Sequence, residues 1–380
     1  MPFLWFKRRK KNLPSAIVDP EEGVLVQILP LRDKEVQSLS LSELDDATLR
    51  DKVVALFPVA FSSDASAYRI LIPARTELPQ TKETKRSGKK RAPLGMKGLP
   101  AFRNFEKMAL PTGFTLAGFQ SSLLSVASFA VGQYHMAQIK ARLDSIDQKL
   151  SALSSFQHNE YQSRVLALLA QLKRSLSFQG DILSDPSARE RELRRLDALE
   201  QECAELLGQA NLSLGEIARQ EGLSFSAYEE STKEAENWLR DSRALFSILR
   251  QIAKSEYLLG GGSIPLAQCE GLLPTYEKQC HDAYAALSRW HEENDKRLRI
   301  DYEKKRRERP FLVKGILSHI GLSKKAYQEI DGELAECLSG QRIVKIEGKG
   351  REDDPFHHDV SLIAKEGKLY YEEGKKSGGD

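Results

Sequence analysis

Met108-Ala-Leu-Pro-Thr-Gly-Phe-Thr-Leu-Ala-Gly-Phe-Gln-Ser-Ser-Leu-Leu-Ser-Val-Ala-Ser-Phe-Ala-Val-Gly-Gln-Tyr-His-Met-Ala-Gln-Ile139 holds no Lys, Arg, Asp or Glu, in a chain of which 29% is charged. Pro111 and Gly113 mark a helix entry, so the helical part is expected from Thr115 onward. Leu116, Phe119, Leu123, Leu124, Val126, Phe129 and Val131 each favour hydrocarbon by about 0.3 to 0.6 kcal/mol, a small sum for a membrane span. Gln120, Gln133 and the serines Ser121, Ser122, Ser125 and Ser128 oppose them, which makes the stretch too polar for constitutive insertion. Small residues recur at helical spacing, Ala117, Ser121 and Ser125 on one face and Ser122 and Ala130 near another, and let a neighbouring helix approach closely. Two uses fit: a buried central helix of a bundle, or a helix hidden in one state that enters a bilayer in another.

Working outward, the same helix continues into a seam. Met136, Ile139, Leu143, Ile146, Leu150 and Leu153 alternate three- and four-residue steps, with Arg142, Asp144 and Lys149 off the seam, the pattern of a coiled coil. Val165, Leu168, Leu172 and Leu176 extend the apolar stripe until Gly180 and Pro186 break it. Leu196, Leu199, Cys203, Leu206 and Ala210 predict a second helix, and Trp238, Leu245, Leu249 and Ile252 a third, ended by Gly260-Gly-Gly262. A fourth carries Leu266, Cys269, Leu273, Tyr276, Cys280, Ala283, Leu287 and Trp290, kinked or restarted at Pro274. Its basic end, Lys304-Lys-Arg-Arg307, complements the negative helix terminus.

The remaining composition excludes more than it identifies. Among 380 residues, 57 Lys and Arg face 54 Asp and Glu, so net charge selects neither nucleic acid nor membrane. Cys203, Cys269, Cys280 and Cys337 are widely spaced without a C-x-x-C pair, against a zinc site or a disulfide framework and in favour of a reducing compartment. Cys269 and Cys280 fall on core positions, and His281 points off that seam. At the amino terminus, Trp5 and Phe6 beside the run Lys7-Arg-Arg-Lys-Lys11 read as a solvated tail in preference to a membrane anchor, and no secretory signal follows.

Before the uncharged stretch, Val24 to Leu29, Val53 to Phe61 and Tyr68 to Ile72 read as strands of a small module. Thr81-Lys-Glu-Thr-Lys-Arg-Ser-Gly-Lys-Lys-Arg-Ala-Pro93 reads as a basic linker. The usual catalytic patterns are absent from the sequence: no phosphate loop, no G-x-G-x-x-G after a strand, no H-E-x-x-H and no nucleophile elbow. His357-His358 with Asp353 and Asp359 sits around Pro355 and reads as a solvated turn ahead of a metal site.

Two segments resemble the helix-turn-helix pattern. In Leu214-Gly-Glu-Ile-Ala-Arg-Gln-Glu-Gly-Leu-Ser224 the following helix carries Glu229, Glu230, Glu234 and Glu236, which phosphates repel, so it reads as a plain inter-helix turn. Ile316-Leu-Ser-His-Ile-Gly-Leu-Ser-Lys-Lys-Ala-Tyr-Gln-Glu-Ile330 fits better, because Lys324 and Lys325 open the second helix and Ile330 and Leu334 give it an apolar face. With strands expected at Arg342 to Glu347 and Val360 to Ala364, residues 311 to 374 resemble a winged-helix module, although Arg351-Glu-Asp-Asp354 is acidic where a DNA-touching wing is basic.

The sequence therefore predicts a mainly α protein: a coiled-coil-like helical bundle with a small N-terminal strand-containing module and a small C-terminal α/β, winged-helix-like module. The divisions are residues 1–80 for the strand module, 81–107 for the basic linker, 108–308 for the apolar helix and bundle, and 309–380 for the C-terminal module. No catalytic residue, cofactor or metal is expected. The function expected first is that of a non-enzymatic, membrane-active effector whose sequestered apolar helix meets a membrane or a partner on triggering, which resembles helical pore-forming proteins in outline. The alternatives are an oligomeric interaction scaffold and a DNA-binding regulator acting through Lys324 and Lys325. A protein partner or self-association ranks first, membrane contact second and nucleic acid third, in a cytoplasmic protein that is peripheral at a membrane if it meets one.

Overall fold

Helices dominate, as the apolar spacing predicts. The computed structural model describes residues 15–19, 23–61, 67–74, 106–151, 159–261, 263–308, 327–342 and 354–373. In chain order the elements are β1 (Ser15–Asp19), β2 (Gly23–Leu31), α1 (Asp33–Val36), β3 (Leu41–Glu43), α2 (Ala47–Leu56), β4 (Ala67–Ile72), β5 (Glu106–Lys107), α3 (Leu116–Ser151), α4 (Asn159–Ser177), α5 (Gln179–Ser184), α6 (Pro186–Ile217), α7 (Phe225–Leu259), α8 (Leu266–Cys269), α9 (Leu273–Leu298), β6 (Ile300–Asp301), β7 (Arg306–Glu308), β8 (Tyr327–Glu329), α10 (Gly332–Gln341), β9 (Val360–Lys365) and β10 (Lys368–Glu372). They form two compact units, one of residues 1–138, 178–189 and 353–380, the other of residues 139–177 and 190–352.

The first unit is built on a seven-stranded sheet of order β3-β10-β9-β4-β2-β1-β5. Every pairing is antiparallel except β1 with β5. Strand β4 lies between β2, in register Ile28↔Ile70, and β9, in register Ile70↔Leu362. Strands from the two ends of the chain thus share one sheet, where the sequence places them in separate modules. Ala16, Val26, Ile70, Leu362 and Ile363 are buried, so the β-branched runs fill one core.

The strand expected over Val53 to Phe61 is instead helix α2 followed by a 3₁₀ turn at Pro58–Phe61. Asp46 decides this locally, since its Oδ1 accepts the Leu49 N–H at 2.8 Å and caps the helix. Leu49, Val53 and Leu56, at helical spacing, then face the core. Gly180 of α5 presses on that cap: a Cβ there would stand 2.0 Å from Asp46 Oδ2. Gly180→Ala is expected to displace the carboxylate and lower stability by about 1 kcal/mol, the worth of an N-cap, in a denaturant titration. Asp46→Ala should cost the same, and the double variant no more than either single one.

In the second unit, α7 packs against α4, α8, α9 and α10. Buried along it are Tyr228, Ala235, Leu239, Leu245, Leu249 and Ile252. Cys203 and Cys280 are fully buried in this core, Cys269 nearly so, and burial pushes all three thiols up. The inter-helix turn before α7 is made as expected: Gly222 takes φ +68°, and the Ser224 hydroxyl accepts the Ala227 N–H. Pro274 restarts the fourth helix, at the first turn of α9.

Lys304-Lys-Arg-Arg307 is not a helix end. Helix α9 stops at Leu298, Arg299 adopts a left-handed φ of 57°, and the basic run forms the turn and strand β7 of a small sheet ordered β6-β7-β8. The second helix expected from Lys324 differs as well, because Tyr327–Glu329 is strand β8, antiparallel to β7, and the helix begins only at Gly332. Asp331 supplies its cap through the Glu333 N–H. Strand β9, expected in one module with that helix, pairs with β4 in the other unit.

Candidate functional site

Helix α3 begins just after Thr115, whose hydroxyl accepts the Gly118 N–H at 3.2 Å. One face of the uncharged stretch is then covered inside the first unit. Phe119, Leu123, Val126, Phe129 and Val131 are at most 3% exposed. Phe57 and Phe114 meet Phe119 edge-on at centroid distances of 6.2 and 6.3 Å. Tyr134 stacks on Tyr371 of β10 at 4.2 Å, and Lys52 of α2 sits over the Phe129 ring. Gln120 donates to the buried Asp19 carboxylate at 2.6 Å, which answers one of the polar groups that oppose lipid.

The opposite face is open. Ala117, Ser121 and Ser125 are exposed, Leu124 is 38% exposed, and Leu116 is half-buried. Of the two small-residue faces, Ala117, Ser121 and Ser125 therefore face solvent, whereas Ser122 is half-buried and Ala130 is fully buried on the packed face beside the large side chains. No described helix is long and apolar enough to cross a membrane.

In the seam, Ile139, Leu143 and Ile146 are buried and Leu150 is half-buried, whereas Leu153 lies outside the described residues. Lys173 of α4 bridges Asp144 at 2.6 Å and Asp147 at 2.9 Å, so the charge set off the seam by the sequence ties α4 to α3. Lys324 and Lys325 lie outside the described residues, as do Trp5, Phe6 and the basic run 81–93. His357 Nδ1 donates to Asp354 Oδ2 at 2.5 Å within a 3₁₀ turn. Asp359 instead accepts the Ala74 N–H. Among the described residues, no group of three or more His, Cys, Asp or Glu is placed to hold a metal ion.

Sequence reasoning missed a buried polar clamp in the second unit. Gln341, at the end of α10, donates through Nε2 to the Thr232 carbonyl and to Glu236 Oε2, both at 2.9 Å. Its Oε1 is then the acceptor facing His291 Nε2 at 2.8 Å, so that nitrogen carries the proton and Nδ1 accepts the Tyr228 hydroxyl at 2.8 Å. His291 is fully buried, and burial, with the Arg342 charge, pushes its pKa down to about 4. Arg342 in turn pairs with Asp295 and lies over the Tyr302 ring. Both ring nitrogens of His291 are satisfied, and the network holds α10 to α7 and α9 and leaves the imidazole neutral, while Asp295 Oδ1 and Arg342 Nε are buried without a hydrogen-bond partner among the described residues.

Only one signal for it existed in the sequence, a histidine directly after the seam residue Trp290 on a helix otherwise polar there. No family model matches the chain, and neither a curated protein nor a solved structure is similar to it at a significant level.

Proposed function

We propose that the chain is a non-enzymatic helical interaction scaffold, in which the uncharged part of α3 is a fixed piece of the core and contacts are made by exposed helix faces. The observation that carries this is the near-complete burial of Phe119, Leu123, Val126, Phe129 and Val131. Exposing these five side chains costs roughly 1.5 to 3 kcal/mol each, on the order of 10 kcal/mol in all, which equals the stability of a typical domain. Insertion into lipid returns only about 0.3 to 0.6 kcal/mol per residue. Release onto a membrane is therefore the costlier use of this helix. Leu166, Leu212 and Leu272 are large apolar residues exposed on or beside the helices of the second unit, with Leu212 at 68%, and they supply contact surface for a partner or a second copy. The coiled-coil seam belongs to this proposal through Leu150, which its own chain leaves half-covered.

A membrane-active role is the second proposal, favoured by the exposed, uncharged face Ala117, Ser121, Leu124 and Ser125. Two measurements on the full chain separate the two. Light scattering across concentrations is expected to show reversible self-association that Leu212→Glu weakens. Flotation with anionic liposomes is expected to leave the protein in the soluble fraction without dye leakage. Flotation with leakage would replace the scaffold proposal by the membrane one.

A further inference from the structure

His291 of α9 meets α7 through one ring nitrogen and α10 through the other. The ring is fully buried, with the Tyr228 hydroxyl on Nδ1 and the Gln341 amide oxygen on Nε2. Both contacts are neutral. The carboxylates packed around this pair of contacts have donors of their own: Glu236 of α7 accepts from Gln341, and Asp295 of α9 pairs with Arg342 at the end of α10. Thr232 of α7 turns its hydroxyl onto the Tyr228 carbonyl, and the Trp290 ring lies 4.9 Å from the imidazole between centroids. Among the described residues, no carboxylate pairs with the imidazole itself, and the nearest cation is Arg342.

These surroundings have no place for a second proton. It would go on Nδ1, where the Tyr228 O–H points, so that bond must invert and the hydroxyl hydrogen loses its acceptor. The new charge would stand near Arg342 without a counter-ion, shielded from water. Burial pushes the His291 pKa down to about 4, and the Arg342 charge adds to the effect. The smallest movement that brings water to Nε2 is the departure of α10. This helix has 10 residues, short of the length at which a helix holds without packing. Its buried side chains are Leu334, Ala335, Leu338 and Gln341, against 20 on α7, so it opens at lower cost than the helices beneath it.

We propose that α10 is an acid-released latch, docked on α7 and α9 while His291 is neutral and leaving them as a unit, with the other helices in place, when the imidazole takes up a proton. Undocking presents Leu334, Ala335 and Leu338, together with the surface of α7 and α9 that they cover at neutral pH. The latch does not depend on the scaffold reading. The docked form has its full advantage above pH 6.5, the ordinary value that the uncovered ring regains, and loses it as pH falls toward 4. Asp295, raised by burial, acts in the opposite direction, since the docked form favours its proton. The response of a His291 variant, and not the pH profile alone, therefore assigns the switch.

The test is amide hydrogen exchange of the full chain, read by mass spectrometry between about pH 7 and pH 5, with rates referred to those of an unstructured peptide at each pH. Peptides covering Glu333 to Gln341 are expected to be less protected than Leu245 to Ile252 of α7 at every pH. Their protection should fall about tenfold or more from pH 7 to pH 5. His291→Gln retains an N–H donor and cannot take a charge, so its α10 protection should change by less than about twofold over the same range. Three results would each overturn the proposal. One is α10 exchanging in step with α7, which means that it opens only when the whole unit unfolds. The second is a flat α10 protection in the wild type, and the third is the same fall in His291→Gln as in the wild type. The first two are read on the wild type alone, so the latch stands or falls even where the variant does not fold.

Discussion

Phe119→Ala is expected to lower the stability of the sheet-bearing unit by about 3 to 5 kcal/mol, the range for emptying a buried aromatic site. The side chain is fully buried and held edge-on by Phe57, which follows α2, and by Phe114 of the turn that leads into α3. Removing it takes away both edge contacts and leaves a cavity that a single rotamer change of its neighbours does not fill. Hydrogen exchange should show protection lost first across β1, β2, β4 and β9, with the helices of the second unit protected as before. Leu124→Ala, on the exposed face of the same helix, serves as the control and should stay within about 0.5 kcal/mol of the wild type. Equal effects of the two substitutions would mean that α3 does not use the face described.

Gln341→Leu is the second large loss, at about 3 kcal/mol, because it leaves the fully buried His291 Nε2–H without an acceptor and takes a donor away from the Thr232 carbonyl and the Glu236 carboxylate. The same clamp gives stability a pH dependence whose sign is fixed. His291 has a folded pKa near 4 against an ordinary 6.5, so between those values the unfolded chain binds a proton that the folded chain refuses. Its contribution is fully present above pH 6.5 and is lost as pH falls toward 4, amounting to about 3 kcal/mol at 1.36 kcal/mol per unit. Glu256 acts in the opposite direction: with a folded pKa raised from 4.5 to about 8, it favours the folded state at low pH and loses that contribution as pH rises to 8. The two slopes oppose one another between pH 4.5 and 6.5. Glu256→Gln should therefore steepen the acid loss of stability, and His291→Phe should flatten it, in urea titrations at half-unit pH steps. A wild-type profile unmoved by either substitution would remove both assignments.

The helices were legible because their signal is local. Leu196, Leu199, Cys203 and Leu206, or Leu273, Cys280 and Leu287, repeat within a few turns, and the breaks at Pro186, Gly222, Gly260 and Pro274 are chemical facts of single residues. The sheet was not, because β4 finds its partner β9 almost three hundred residues away, and nothing in Tyr68 to Ile72 names Val360 to Ala364. Val53 to Phe61 misled because it opens on two valines and is apolar throughout, while the deciding residue, Asp46, lies outside the run. Lys304 to Arg307 misled because the left-handed turn at Arg299 is made by a residue that rarely adopts it. For the candidate site, the apolar face of α3 was legible as a helix needing a partner, and which face would be covered was not. His291 escaped because the seam was counted as one stripe, whereas α9 is covered by both α7 and α10 and buries two.

The shared sheet also fixes a timetable. A ribosome releases β1, β2 and β4 long before β9 and β10, and in the interval it delivers the whole helical unit, residues 139–177 and 190–352. Until Lys365 has emerged, β4 offers an unpaired edge to any extended strand nearby. The helical unit can mature during synthesis, whereas the sheet, bound by distant pairings, is completed last. A nascent chain stalled before Val360 is thus left with finished helices and an adhesive half-sheet, the form in which this protein is most exposed to chaperones and to aggregation.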